Sequence, residues 1–136
     1  MIELDPKSTA LVLIDLQKGI LGNTLTPTTA HELLARGQAL AERFRAAKAT
    51  VVLVNVAFSA DGGDVLRQRV DQAPAVPAGG FPAARQAYEH GYELLIVKDV
   101  TTSTVAEGHD MSMKHILPRL GRLVESGDIL TRSKAA

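Results

Sequence analysis

The sequence predicts a single-domain α/β protein built on a mostly parallel sheet, and two apolar runs with the segment between them carry that prediction. Thr9 to Leu16 (TALVLIDL) and Thr50 to Ala57 (TVVLVNVA) are nearly continuous in apolar residues rather than alternating. Such runs read as strands of a parallel sheet buried on both faces. Between them, Leu33, Leu40, Phe44 and Ala47 recur at helical spacing, with Leu34 and Ala41 beside them, while Glu32, Arg36, Glu42, Arg43 and Arg45 take the opposite side. A strand, a helix of this length and a second strand form a βαβ unit, which is right-handed in nearly all cases.

The remaining elements follow in order. The first strand ends at Asp15, Gln17 and Lys18 and gives way to a loop over 19–28. Thr29-Ala-His-Glu32 has the spacing of a capping box, so the long helix starts there and ends near Lys48. Residues 59–82 are rich in Gly, Pro and Asp and read as loop, with a short helical turn over Val65–Val70. A loop of that length is unusual inside a compact domain. Ala83 to His90 reads as a helix stopped by Gly91, and Tyr92 to Val97 as a third strand. Thr104 to Glu107 repeats the capping-box spacing and opens a helix through about Leu117. Leu120 to Val124 is a fourth strand, and Gly127 to Leu130 a terminal turn.

Composition narrows the function classes. The 136 residues carry no net formal charge, which removes the electrostatic footprint of a nucleic-acid binder. Aromatic residues make up 4% of the chain and Trp is absent, so the core rests on Leu, Val, Ile and Ala. There is no cysteine, so a disulfide, a thiolate metal site and thiol chemistry within this chain are all excluded. The first residues do not resemble a signal peptide, and the longest apolar run is far too short to span a bilayer. A cytoplasmic protein without membrane partners is expected.

Ligands of open α/β sheets bind beyond the carboxyl ends of the parallel strands. Those ends carry Asp15 and Gln17, then Asn55 and Ser59, then Asp99 and Thr101 to Ser103. Asp15 interrupts an apolar strand where it can face a cleft and act as a base; an Asp there can equally accept hydrogen bonds from loop amides. No phosphate-binding glycine motif and no nucleophile elbow occur. His109 and His115 are six residues apart, so they do not share a helical face for a metal and read as surface or packing residues.

Three stretches together resemble the isochorismatase-like cysteine hydrolase family: Ala10 to Ile20 (ALVLIDLQKGI), Val51 to Phe58 (VVLVNVAF), and Ala84 to Asp99 (ARQAYEHGYELLIVKD), continuing through Thr102-Ser103 to Pro118-Arg119. They cover nearly the whole chain in the family's order. The resemblance implies a doubly wound, Rossmann-like three-layer fold and hydrolysis of isochorismate, nicotinamide, carbamoyl groups or similar small substrates by an Asp, Lys and Cys triad. Asp15 matches the Asp, with Gln17, Asn55 and Phe58 as the expected substrate-binding residues. The Lys and Cys of the pattern are absent. They belong to a stretch of roughly 50 residues, about one αβ unit, that is missing near Ala83-Ala84. Ser59 to Asp64 holds no His where metal-binding members carry theirs, so no metal and no cofactor are expected.

The resemblance therefore implies a reduced domain over residues 1–136, a pseudoenzyme weakly active or inactive on small amide, ester or vinyl-ether substrates. A non-enzymatic oligomerising or ligand-binding module, or an internally deleted gene product, are the other readings. Two structural expectations follow. The strand over Leu94–Val97 should pair directly with Leu11–Ile14 to avoid unsatisfied edges, and newly exposed apolar surface should drive homo-oligomer formation or else leave the protein poorly soluble.

Overall fold

The computed structural model of the chain describes residues 1–61, 63 and 80–131. The helical turn expected over 65–70 lies outside them. The described elements are β1 (Ile2–Leu4), β2 (Ala10–Ile14), α1 (Lys18–Leu21), α2 (Ala30–Ala46), β3 (Thr50–Val54), α3 (Gly80–Glu89), β4 (Leu95–Val97), α4 (Ala106–Met111), β5 (Arg122–Val124) and β6 (Ile129–Thr131).

Each strand pairs with one other, always in parallel: β1 with β6, β2 with β3 and β4 with β5. The β2–β3 ladder is the longest, from Ala10 opposite Thr50 to Ile14 opposite Val54. It is the βαβ unit predicted above, with α2 as its crossover. Direct pairing of β4 with β2 does not occur. The physical reason lies in α2. Gly37 receives Leu16, just past β2, and Val100, just past β4: a Cβ at Gly37 would lie 3.3 Å from Leu16 Cδ1 and 3.6 Å from Val100 Cγ1. One helix, about 10 Å across, spans about two strand spacings. With α2 packed against residues just past both strands, β4 pairs with β5 and not with β2.

The core forms under α2. Leu11, Leu40, Ala41, Phe44, Ala49, Val124 and Ile129 are buried together, with Ile2, Leu4, Leu13, Val51, Leu95 and Val97 packed against them. The three ladders thus share one apolar centre without sharing hydrogen bonds. The expected burial of both strand faces is corrected. Leu11, Leu13 and Val51 face the core, but Val12 is 48% exposed, and Val52, Val54 and Leu53 are exposed as well. Among the described residues, α2 covers one face and no element seals the other.

Local chemistry accounts for the element ends. The Thr29 hydroxyl accepts from the Glu32 amide at 3.3 Å, and the Glu32 carboxylate accepts from the Thr29 amide at 3.2 Å, as the spacing predicted. α2 ends with Lys48 at φ 60, donating to Arg45 O, and with Ala49 donating to Phe44 O. This is a Schellman termination in which a lysine takes the position glycine usually fills. α3 ends in the same manner at Gly91, φ 80, where glycine fits without cost. The second expected capping box does not form. The helix starts at Ala106 with Val105 as its uncapped N-terminal neighbour, because the Ser103 hydroxyl accepts from the Val105 amide and holds the chain in a turn. α4 runs on through a π-helical turn at Ser112–Ile116, where the Ser112 hydroxyl donates back to Gly108 O.

The expected terminal turn at 127–130 is a 3₁₀ turn over Ser126–Asp128 leading into β6, which pairs with the N-terminal β1. Ahead of β5, Gly121 lies against Leu94. A Cβ there would approach Leu94 O at 2.6 Å and Leu94 Cβ at 2.7 Å, so only glycine lets the chain pass.

Candidate functional site

The site builds on the end of β2. The ladder runs regularly to Ile14, after which the Asp15 amide still donates to Val54 O at 2.9 Å. Asp15 then turns the chain out of the sheet at φ 60. This conformation is unfavourable for most side chains but tolerated by Asp and Asn. Asp15 is buried, with 8% of its surface left exposed, and Oδ1 has no hydrogen-bond partner among the described residues. A carboxylate oxygen buried without a partner among the described residues makes Asp15 the candidate residue at this strand end.

Gln17 stands two residues further on. Its Nε2 donates to Val56 O at 3.1 Å and its Oε1 accepts from the Val56 amide at 2.9 Å. The side-chain amide thereby pairs with the chain leaving β3 as a backbone peptide would. Gln17, Asn55, Leu13, Leu16, Leu53 and Val54 line an open pocket of about 210 Å³. Gln17 and Asn55 therefore come together at the strand ends, as expected. Phe58 is not among the lining residues and lies half exposed. The leucines of the lining were not foreseen, although their place in the two apolar runs next to the strand ends was the available signal.

The hydroxyls near the strand ends are committed elsewhere. Thr101 Oγ1 donates to Val97 O at 2.8 Å, and Thr102 Oγ1 lies at 2.8 Å from Thr28 O and 3.1 Å from Thr26 O. Ser59 Oγ donates to Asp61 Oδ1 at 2.7 Å. Lys98, the cation nearest in sequence to this end of β4, forms a surface ion pair with Glu125 at 2.6 Å. His109 is a packing residue: among the described residues both buried ring nitrogens have no hydrogen-bond partner, and Nδ1 lies 3.6 Å from Asp110 Oδ1. Among the described residues, no group of three or more potential ligands could hold a metal ion, and no helix is long and apolar enough to cross a membrane.

Asp99, at the end of β4, has a structural task. Its carboxylate accepts from the Ser126 amide at 2.8 Å and the Ser126 hydroxyl at 2.5 Å, tying β4 to the turn before β6. Burial pushes its acidity the other way, but the Ser126 hydrogen bonds prevail and hold the carboxyl below the ordinary 3.8. A folded-state value below the unfolded one gives stability that is complete above the unfolded value. That stability is lost as pH falls through the folded one. Asp99→Asn is therefore expected to be less stable than the parent near neutral pH. The gap should narrow as an acid titration followed by circular dichroism passes below about pH 4; a gap unchanged down to pH 2 counts against this role.

Parallel strand pairs with a helical crossover and a buried carboxylate at a strand's carboxyl end define an open α/β fold. The chain belongs to the isochorismatase family. It is 32% identical over 185 residues, covering 96% of this chain and 98% of the relative, to the uncharacterized isochorismatase family protein YecD of Escherichia coli O157:H7. It is 22% identical over 190 residues to the uncharacterized isochorismatase family protein YwoC of Bacillus subtilis strain 168, covering 98% of each. An isochorismatase family protein from Burkholderia thailandensis superposes with a TM-score of 0.81 at 22% identity, over 93% of this chain and 95% of that one. That likeness shows the fold. No family model matches the chain.

Proposed function

We propose that this chain is an isochorismatase-family protein with an incomplete catalytic set, which binds a small hydrogen-bond-donating ligand at Asp15 without turning it over by thiol chemistry. The observation that carries the reading is the buried Asp15 carboxylate with a free acceptor oxygen in a chain without cysteine. A carboxylate can serve as a general base, an effect typically worth about 10²–10⁴-fold, but it does not replace a nucleophile. The nearby hydroxyls, already hydrogen-bonded, are not poised to substitute. An internal deletion is supported by the alignment with the Escherichia coli relative. It runs over 185 residues, more than the 136 of this chain, so part of the relative's length faces no residue here.

The test is turnover. With isochorismate, nicotinamide and a carbamoyl substrate, purified protein is expected to show no hydrolysis above background. Hydrolysis that disappears in Asp15→Asn and survives thiol-alkylating reagents would instead make Asp15 a water-activating base. Hydrolysis that survives Asp15→Asn would place the chemistry elsewhere.

A second reading is favoured by one observation. Val12, Val52 and Val54 lie exposed on one face of the β2–β3 ladder, and contiguous apolar surface marks interfaces. On this reading the domain is a homo-oligomer, expected to sediment as a defined dimer or larger species. A stable monomer at high concentration argues against it.

A further inference from the structure

Two loops that follow the carboxyl ends of β2 and β4 are fastened to each other. Residues 22–29 join α1 to α2, and residues 101–103 lead from β4 toward α4. Thr26 and Ser103 form a bridge outside any ladder: the Thr26 amide donates to Ser103 O at 2.8 Å and the Ser103 amide to Thr26 O at 2.9 Å. Thr102 adds its hydroxyl, 2.8 Å from Thr28 O and 3.1 Å from Thr26 O. Among the described residues, these are the hydrogen bonds that tie residues 24–28 to another part of the chain.

The two sides of the bridge are unequally anchored. On one side, Thr101 Oγ1 donates to Val97 O at 2.8 Å and Ser103 Oγ accepts from the Val105 amide at 3.1 Å, so residues 101–103 are bound to what precedes and follows them. On the other side the anchors stand at the two ends. Asn23 Nδ2 donates to Gly19 O and Ile20 O of α1, and Thr29 is held in the capping box of α2. Between these anchors Thr24 and Pro27 are exposed, and Thr28 is buried. A lone bridge without neighbouring rungs, on a loop with little apolar burial, belongs to the low-stability end of a structure.

We propose that residues 24–28 form a strap that unzips from residues 101–103 as one unit, with Asn23 and Thr29 as its fixed ends, while α2 and the three ladders stay intact. Opening breaks both amide bonds of the bridge and both contacts of the Thr102 hydroxyl together. The strap sets whether the loops beyond β2 and β4 are joined or apart in the folded protein, at the strand ends where open α/β folds bind their ligands. It rests on the bridge, and holds whether or not Asp15 binds a ligand.

Amide hydrogen exchange of the full-length protein, followed by NMR at zero and low urea, reads the opening. Ala49, a core residue whose amide donates to Phe44 O at 2.9 Å, reports unfolding of the whole domain. Thr26 and Ser103 are expected to be protected equally, within about threefold, and at least about tenfold less than Ala49. Urea should speed exchange at Ala49 and leave Thr26 and Ser103 nearly unchanged, because a local opening exposes little surface. Thr102→Val should speed exchange at both by roughly three- to tenfold, the size of one lost hydrogen bond, and Thr102→Ser should restore the parent rates. Four results would overturn the proposal. Thr26 and Ser103 could differ in protection, or show none. Both could respond to urea as Ala49 does, which would mean that the strap opens only when the domain unfolds. Lastly, Thr102→Val could leave either amide at its parent rate.

Discussion

Leu40→Ala is expected to cost about 2–5 kcal/mol, read as a fall in the urea midpoint at unchanged slope. Leu40 retains 1% of its exposure and belongs, with Phe44 of the same helix, to the cluster that holds Leu11, Val124 and Ile129 from both ends of the chain. In most parallel sheets a lost core methylene is shared with an intact hydrogen-bonded sheet. Here the three ladders are held together through side chains, so the cavity opens at their common centre. Against a total stability of about 5–15 kcal/mol, the loss is a large fraction. Leu34→Ala, on the same helix but 44% exposed, is the control and should stay within roughly 1 kcal/mol. Equal losses at the two positions would show that α2 is not the organising element.

Asp15→Gly is expected to stabilise the protein by about 1–4 kcal/mol. Two terms favour it. A left-handed non-glycine residue is relieved, worth roughly 1–2 kcal/mol, and a buried acceptor without a partner is removed, worth about 1–3 kcal/mol. The greater freedom of glycine in the unfolded chain opposes them by roughly 0.5–1 kcal/mol. The amide bond to Val54 O survives the change. Asp15→Asn, which tolerates the same backbone, separates the charge from the strain. Thermal denaturation of the pair reads the effect. If Asp15→Gly lowers the midpoint, the carboxylate is stabilised by its surroundings, and its retention needs no functional explanation.

How far the sequence reveals this molecule depends on the range of each interaction. The β2 and β3 runs, the Thr29–Glu32 box and the stop at Gly91 are local, and each is written in adjacent residues. Pairing of β1 with β6 joins Ile2 to Ile129 through strands of three residues, too short to carry a period and set only by tertiary contact. Thr104 has the right spacing for a cap but loses to Ser103, whose hydroxyl reaches the Val105 amide first. That β4 pairs with β5 and not with β2 is a tertiary choice, which no strand pattern encodes. At the site, Asp15 was legible as a polar break in an apolar strand. Its backbone turn and the double bond of Gln17 to Val56 were not, because both depend on where β3 ends relative to β2.

That Gln17 amide works as a splice. The main chain quits the ladder at Asp15, yet a side chain two residues later restores one more rung, so departure of the backbone and termination of the sheet are uncoupled. The fold can thus set the carboxylate out of line at a strand end while the two chains beyond it stay fastened. Position 17 tolerates only a group that both gives and receives at that reach: glutamate would receive without giving, and lysine would give without receiving. The latitude of the loop after β3 is accordingly limited by one residue far away from it in the sequence.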